Sequence, residues 1–306
     1  MTTPAFYKPD RVGEIYTPDV LAATEAGSAA GLTPAAEDSE KGLLLLIDCQ
    51  IDFIHPAGAL YVPGAVEDTR RTIEWLYRHA GSVTQIIASL DSHTPIQVFS
   101  PPWWVDGDGN HPEPFTVVSA QDVADGKWQP VYDVDWSQRY VAELEESAKK
   151  QLMIWPFHTL IGTPGHNLMP ALYEALAYHS TARQVFPQMV TKGTLPQTEY
   201  YSMLEPEVKI PDHPLGTLNT DLVNEIAAYD KIYITGQAKS HCVLETITSL
   251  VRHFSDQPDV IGKIHLIKDG TSAVQHPDID FDALAEDIYA DYEKQGMQVV
   301  TTADVP

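Results

Sequence analysis

The residues Gly42-Leu43-Leu44-Leu45-Leu46-Ile47-Asp48 form an unbroken apolar run that stops at a carboxylate. Such a run, with no polar alternation, suits a strand buried on both faces and places Asp48 at its carboxyl end. The pattern recurs at Thr84 to Asp91, at Lys231 to Gly236 and at Lys263 to Asp269. Between these runs lie stretches with helical spacing: Val66 to His79, Leu218 to Ala228, Cys242 to Phe254 and a further one near Phe281 to Gln295. The alternation predicts an α/β fold with a mostly parallel central sheet and helices on both faces. Functional groups then collect at the carboxyl ends of the strands, where Asp48, Asp91 and the Gly236 turn all fall.

Two regions depart from this rhythm. Residues 1–41 mix Pro, Gly, Ala, Thr and acidic residues without periodicity, and read as an extension that lies on the surface or covers a neighbour. Residues 42–306 then form the main domain, interrupted at about 94–155 by a large insertion that carries Trp103, Trp104, Trp128 and Trp136. Inside it, Phe115 to Val118 and Trp128 to Tyr132 flank Asp125-Gly126 and predict a hairpin, and Ser137 to Gln151 predicts a helix. A packed accessory subdomain and a lid are both compatible with these aromatics. No internal repeat is visible.

Composition narrows the function classes. Nineteen Lys and Arg against 43 Asp and Glu give a formal charge of −24, which repels nucleic acid and anionic membrane surfaces. Neither is expected as a partner, and no stretch is as apolar as a membrane span requires. The acidic N-terminus lacks the basic and apolar pattern of an export signal. Two cysteines, Cys49 and Cys242, offer no disulfide framework, so a reducing, cytoplasmic setting is expected.

The strand ending at Gly236 leads through Gln237-Ala238-Lys239-Ser240-His241 to Cys242, at the start of an apolar-periodic helix. A thiol there meets the positive end of the helix dipole and free backbone N–H groups, which favour thiolate and can bind an oxyanion. Buried structural cysteine is the commoner role, so position alone does not assign catalysis. The turn resembles, however, the nucleophile turn of the nicotinamidase and isochorismatase-like cysteine hydrolases, and five further segments follow that family's order. Asp48 to Phe53 with Pro56 to Ala65 resembles its first strand and loop. Leu90 to Pro95, Trp155 to His158 and Gly162 to Gly165 resemble its metal and linker segments. Thr191-Lys192-Gly193 with Tyr201-Ser202 resembles its lysine segment.

The resemblance implies the isochorismatase-like, doubly wound three-layer fold and a catalytic set of Cys242, Asp48 and Lys192. A carboxylate shielded by apolar neighbours can hold a raised pKa and take the thiol proton, while an ammonium stabilises the resulting anions. Backbone N–H groups of Ala238 and Cys242 are the expected oxyanion hole, with a cis peptide between Gln237 and Ala238. Asp91 and His93, at i and i+2 after a strand, converge on one point, and His158 supplies a third ligand. Two His and one carboxylate suit a divalent zinc, with iron or manganese as alternatives. Phe53, with the insertion tryptophans, is expected to stack on an aromatic substrate ring.

The chain also departs from the family pattern. Thr159 stands where a Cys often follows the metal-binding histidine, and His241 stands where a Tyr often precedes the nucleophile. His241 is expected on the pocket wall or the surface rather than as the base. Asp106-Gly107-Asp108-Gly109-Asn110 resembles the start of a calcium loop but lacks its Gly and Glu positions, and Gly162 to His166 lacks the Lys of a phosphate-binding loop. The implied activity is hydrolysis of a small carboxamide, nicotinamide first, to acid and ammonia through a thioester. The alternatives are an amidase or ureide hydrolase for a different small amide, and a non-catalytic binding protein on the same fold. A homo-oligomer is the family default.

Overall fold

The computed structural model describes residues 3–148 and 150–304. In chain order its strands are β1 (Gly42–Ile47), β2 (Gln85–Asp91), β3 (Trp104–Val105), β4 (Val117–Val118), β5 (Gln129–Pro130), β6 (Leu152–Met153), β7 (Gln188–Lys192), β8 (Lys231–Gly236), β9 (Ile264–Ile267) and β10 (Gln298–Val300). The helices are α1 (Val20–Ser28), α2 (Ile51–Ile54), α3 (Ala65–His79), α4 (Ala120–Ala124), α5 (Val134–Glu143), α6 (Pro170–Arg183), α7 (Thr220–Ala227), α8 (Leu244–His253), α9 (Pro258–Ile261) and α10 (Phe281–Glu293).

The central sheet has six strands in the order β10-β9-β8-β1-β2-β7, and every neighbouring pair is parallel. The Leu-rich run becomes β1 at its centre, with all six residues buried. Because side chains alternate along a strand, Leu44 and Leu46 join one core while Leu43, Leu45 and Ile47 join the other. The first core takes Ile73 and Leu76 of α3 and Leu172 and Leu176 of α6. The second takes Ile226 of α7, Ile247 and Leu250 of α8 and Tyr289 of α10. The result is the expected sheet with helices on both faces.

From β1 the chain runs outward through β2 to β7, then crosses to β8 on the other side of β1. The order reverses between β1 and β8, where open α/β sheets leave a crevice beyond their strand ends. Gly236 ends β8 with φ 123°, and a Cβ there would lie 2.7 Å from the Ile47 backbone nitrogen, so only glycine lets the two strand ends approach.

The segment 94–155 pairs differently from the sequence-based expectation. Val117–Val118 pairs with Leu152–Met153, and Gln129–Pro130 pairs with Trp104–Val105, both antiparallel, so the hairpin across Asp125-Gly126 does not form. Those two residues instead end α4: Asp125 caps it and Gly126 follows with φ 74°, a glycine helix stop rather than a hairpin turn. The helix expected over 137–151 begins earlier, at Val134, and ends at Glu143, followed by a π-helical turn at Leu144–Ala148. Ser137 is no N-cap, because its hydroxyl is buried, accepting from Trp103 Nε1 and donating to the Tyr132 carbonyl.

The first 41 residues contain α1, which packs on α6, and Glu174 of α6 accepts from Tyr16 Oη at 2.9 Å and from the Asp19 amide at 2.8 Å. Among the described residues no helix is long and apolar enough to cross a membrane.

Candidate active site

Four strand ends deliver the polar groups. Asp48 follows β1 in a left-handed conformation, φ 46°, that turns the chain sharply. Ser89 of β2 holds it twice: its hydroxyl accepts from the Asp48 amide at 3.0 Å and donates to Oδ1 at 2.6 Å. The other oxygen, Oδ2, lies 2.9 Å from the ammonium of Lys192, the last residue of β7. That ammonium also donates to Asp91 Oδ1 at 2.8 Å, to the Tyr200 carbonyl at 2.8 Å and to Cys242 Sγ at 3.6 Å. Cys242 lies in a π-helical turn, Lys239–Val243, that leads from β8 into α8.

Burial sets the resting charges. It raises the Asp48 carboxyl above the ordinary carboxylate range, opposed by the Lys192 charge. It also pushes the Cys242 thiol well up, against the pull of Lys192, and the neighbouring Asp48 adds to the rise. Resting Cys242 is therefore a thiol, which corrects the expectation that the helix terminus alone favours thiolate. Lys192 is the reverse case: burial opposes its charge, but Asp48 and Asp91 hold it well above the usual lysine value.

Asp91, His93 and His158 form the second group. Their ligand atoms lie within 4.8 Å of one another, and all three residues are buried. Asp91 Oδ2 stands 2.7 Å from His93 Nε2 and 3.5 Å from His158 Nε2. His93 Nδ1 lies 3.1 Å from the Gly193 carbonyl and His158 Nδ1 2.7 Å from the Pro156 carbonyl, so each ring donates there and turns a bare Nε2 toward the carboxylate. Acceptors facing an acceptor need a cation between them, and these donors fit a divalent metal ion. Burial lowers the His93 pKa, which favours the neutral, ligating imidazole. Asp91 also suffers burial, but the Lys192 ammonium beside it holds its carboxyl well below the usual range. Gly193, with φ 76°, leaves the room: a Cβ there would sit 2.7 Å from the His93 ring and 2.9 Å from Asp91 Oδ1.

Cys242 of the first group and all three residues of the second line one cavity with about 420 Å³ of empty volume, walled also by Trp155, Tyr201, His241 and Val274. Phe53 and Ala238 line it as well. The Phe53 ring meets His158 edge-on at 5.6 Å. Trp103, Trp104, Trp128 and Trp136 do not line this cavity, which corrects the expectation that they would stack on a substrate. The indoles of Trp103, Trp104 and Trp136 donate instead to Ser137, the Val98 carbonyl and the Gln197 carbonyl. His241 is a wall residue packed against Trp155, Tyr201 and Phe281, and burial lowers its pKa to about 3. The peptide between Gln237 and Ala238 is cis.

Three residues escaped the sequence reading. Ser89 was visible as a hydroxyl two positions before Asp91 in an otherwise apolar strand, hence on the same face of the sheet. Gln50 forms a two-bond clamp on Asp91, accepting from its amide and donating to its carbonyl, each at 2.8 Å. Glu199 lines the cavity, accepts from Trp155 Nε1 at 2.6 Å and is raised by burial to about 8. No local pattern marks Glu199, which reaches the site through a stretch without regular structure.

No family model matches the chain. It is 23% identical over 239 residues to the nicotinamidase of Saccharomyces cerevisiae, covering 72% of this chain and 92% of that one. The structure of the yeast nicotinamidase Pnc1p superposes with a TM-score of 0.56 at 19% identity, covering 85% of this chain and 99% of the other. A nicotinamidase and pyrazinamidase from Acinetobacter baumanii gives 0.55 at 17% identity, over 88% and 99%. PnC1 from L. infantum, solved in complex with nicotinate, gives 0.51 at 17% identity, over 88% and 96%. In fold the chain resembles these nicotinamidases, and its sequence is similar to the yeast enzyme over most of both chains.

Proposed function

We propose that this protein hydrolyses a small aromatic carboxamide, nicotinamide first, to its carboxylic acid and ammonia through a thioester on Cys242. The observation that carries the reading is the Lys192 ammonium, within reach of Asp48, Asp91 and Cys242 Sγ, of which Asp91 and Cys242 line one cavity. A thiol raised by burial needs a base beside it, and Asp48 is that base.

Asp48 takes the thiol proton as sulfur attacks the amide carbon, and the N–H groups of Ala238 and Cys242 receive the charge that develops on oxygen. The proton passes from Asp48 to the departing nitrogen, the C–N bond breaks and ammonia leaves. Water then attacks the thioester, giving a proton to Asp48. The C–S bond breaks, the acid is released and the proton returns to sulfur. Lys192 stays charged throughout and offsets the negative charge shared by Asp48 and the thiolate. Asp91, His93 and His158 would hold a divalent metal ion, zinc by the donor set with iron or manganese as alternatives, which supplies Lewis acidity at the substrate end of the cavity. Phe53 and Trp155 wall the space for a flat ring.

The support for nicotinamide over another amide is the yeast relative, a nicotinamidase. The wall residues His241, Glu199 and Trp155 favour as second reading an amidase or ureide hydrolase for a different small amide. A homo-oligomer and a reducing cytoplasmic setting belong to the same proposal, the latter supported by two free, buried cysteines. The test is ammonia release from nicotinamide, pyrazinamide and a panel of small amides and ureides, with mass spectrometry of Cys242. The expected result is turnover of nicotinamide and loss of at least about 10⁴-fold in Cys242→Ala. An active, folded Cys242→Ala variant overturns the mechanism. Activity confined to another amide selects the second reading, and no activity with no adduct selects a binding protein.

A further inference from the structure

Behind the nucleophile turn lies a buried polar relay that the catalytic scheme does not use. Asp68, in the first turn of α3, and Gln237, just after β8, are 2% and 1% exposed. Asp68 Oδ2 accepts from Gln237 Nε2 at 3.0 Å, and Oδ1 accepts from Arg71 at 2.7 Å. A carboxylate offers only acceptors, so Gln237 must turn its NH₂ toward Asp68 and its oxygen away. That oxygen, Oε1, receives the Ser272 amide at 3.4 Å. The Ser272 carbonyl in turn accepts from the Lys239 amide at 2.8 Å, and the Val274 amide donates to Ser240 Oγ at 3.1 Å. Arg71 Nε donates to the Asp269 carbonyl at 2.5 Å, tying the same helix to the start of that loop. The relay thus joins α3 to both segments that supply Ala238, Cys242 and Val274 to the cavity.

We infer that Asp68 is a positioning residue which, through the side chain of Gln237, fixes the backbone at Ala238 where the amide oxygen of the substrate is received. This rests on the hydrolase reading above. It touches neither thiol nor base, so it governs stabilisation of the oxyanion and leaves activation of Cys242 alone. Replacing Asp68 by Asn introduces a donor, lets the Gln237 amide reverse and sets two donors against each other at Ser272.

The experiment compares the full-length, metal-loaded protein with Asp68→Asn, Gln237→Leu and Asp68→Glu. It measures kcat and KM for nicotinamide, affinity for pyridine-3-carbaldehyde, whose adduct with the thiol carries the same oxyanion, alkylation of Cys242 by iodoacetamide, and thermal midpoint. Asp68→Asn and Gln237→Leu are expected to lose about 10- to 100-fold in kcat and in aldehyde affinity together. KM and the alkylation rate stay within about threefold, and Asp68→Glu recovers part of the loss. A purely structural role predicts that alkylation and thermal midpoint change along with kcat, and that result overturns the inference, as does unchanged kcat in both folded variants. A wild-type protein inert toward every amide and toward the aldehyde instead removes the hydrolase reading on which the inference stands.

Discussion

The floor and the roof of the cavity are made on different terms. The floor is a set of strand ends, β1, β2, β7 and β8, whose register fixes Asp48, Asp91, Lys192 and the approach to Cys242 to within a few tenths of an ångström of contact. It is charged and held by hydrogen bonds between neighbouring strands. The roof comes from segments without regular structure, which bring Trp155, Glu199, Tyr201 and Val274. It is aromatic, and its one acid is neutral near pH 7 because burial raises it to about 8. A parallel sheet positions charge chemistry with little freedom, whereas irregular roof segments change without disturbing the strands. On the proposed mechanism the floor carries the reaction, and the roof carries the choice of amide.

That division predicts separable kinetic effects. Removing the metal ion by chelation, or replacing His158 by Ala, acts on the floor and should lower kcat/KM by about 10²-fold, with zinc restoring activity to the stripped wild type but not to the variant. Full activity after metal analysis shows the ion gone would take the metal out of the reaction and leave Asp91, His93 and His158 a structural group only.

The same division explains what could be read in advance. Most of the floor was legible because an apolar run leads to it, Asp48 after Leu43 to Ile47, Asp91 after Ile86 to Leu90 and Gly236 after Ile232 to Thr235, whereas Lys192 was found only through the resemblance of its Thr-Lys-Gly segment. The strand β7 was not seen as a strand, because at the sheet edge its residues alternate between partly buried and exposed and the apolar run disappears. Helix α6 hid for the opposite reason: it is buried on most of its circumference, so Leu172, Glu174, Tyr178 and Arg183 give no amphipathic stripe. In the segment 94–155, local turn chemistry at Asp125-Gly126 suggested a hairpin, but Val117 pairs with Met153, a partner too distant in sequence for local signals. His158 joined the candidate ligands only through the resemblance of its Trp-Pro-Phe-His segment, for nothing local links it to Asp91.

On the roof, Trp155→Ala should raise KM for nicotinamide about tenfold while kcat changes less than about threefold, since it removes a ring wall and leaves every strand-end group in place. Trp155 also donates to Glu199 and meets the His241 ring at 5.5 Å, so the variant should accept bulkier amides than wild type. Steady-state kinetics across substituted nicotinamides checks this. A loss confined to kcat would show that the roof takes part in the chemistry and that floor and roof are not separable.

The smallest expected effect concerns Glu199, and it reads out in stability rather than turnover. Burial raises its pKa from 4.5 to about 8, so the folded protein holds a proton that the unfolded chain releases. The folded state binds more protons between those values, and stability must fall as pH rises. The contribution is complete below about pH 4.5 and is lost as pH passes through about 8. Glu199→Gln keeps an acceptor for Trp155 Nε1 but cannot ionise, so it removes this slope. Denaturation midpoints measured from pH 5 to 9 should decline more steeply in wild type than in the variant, with the two diverging most at the alkaline end. Parallel curves would mean that Glu199 is ionised in the folded protein, and the roof would then carry a charge where the comparison with the floor requires a neutral acid.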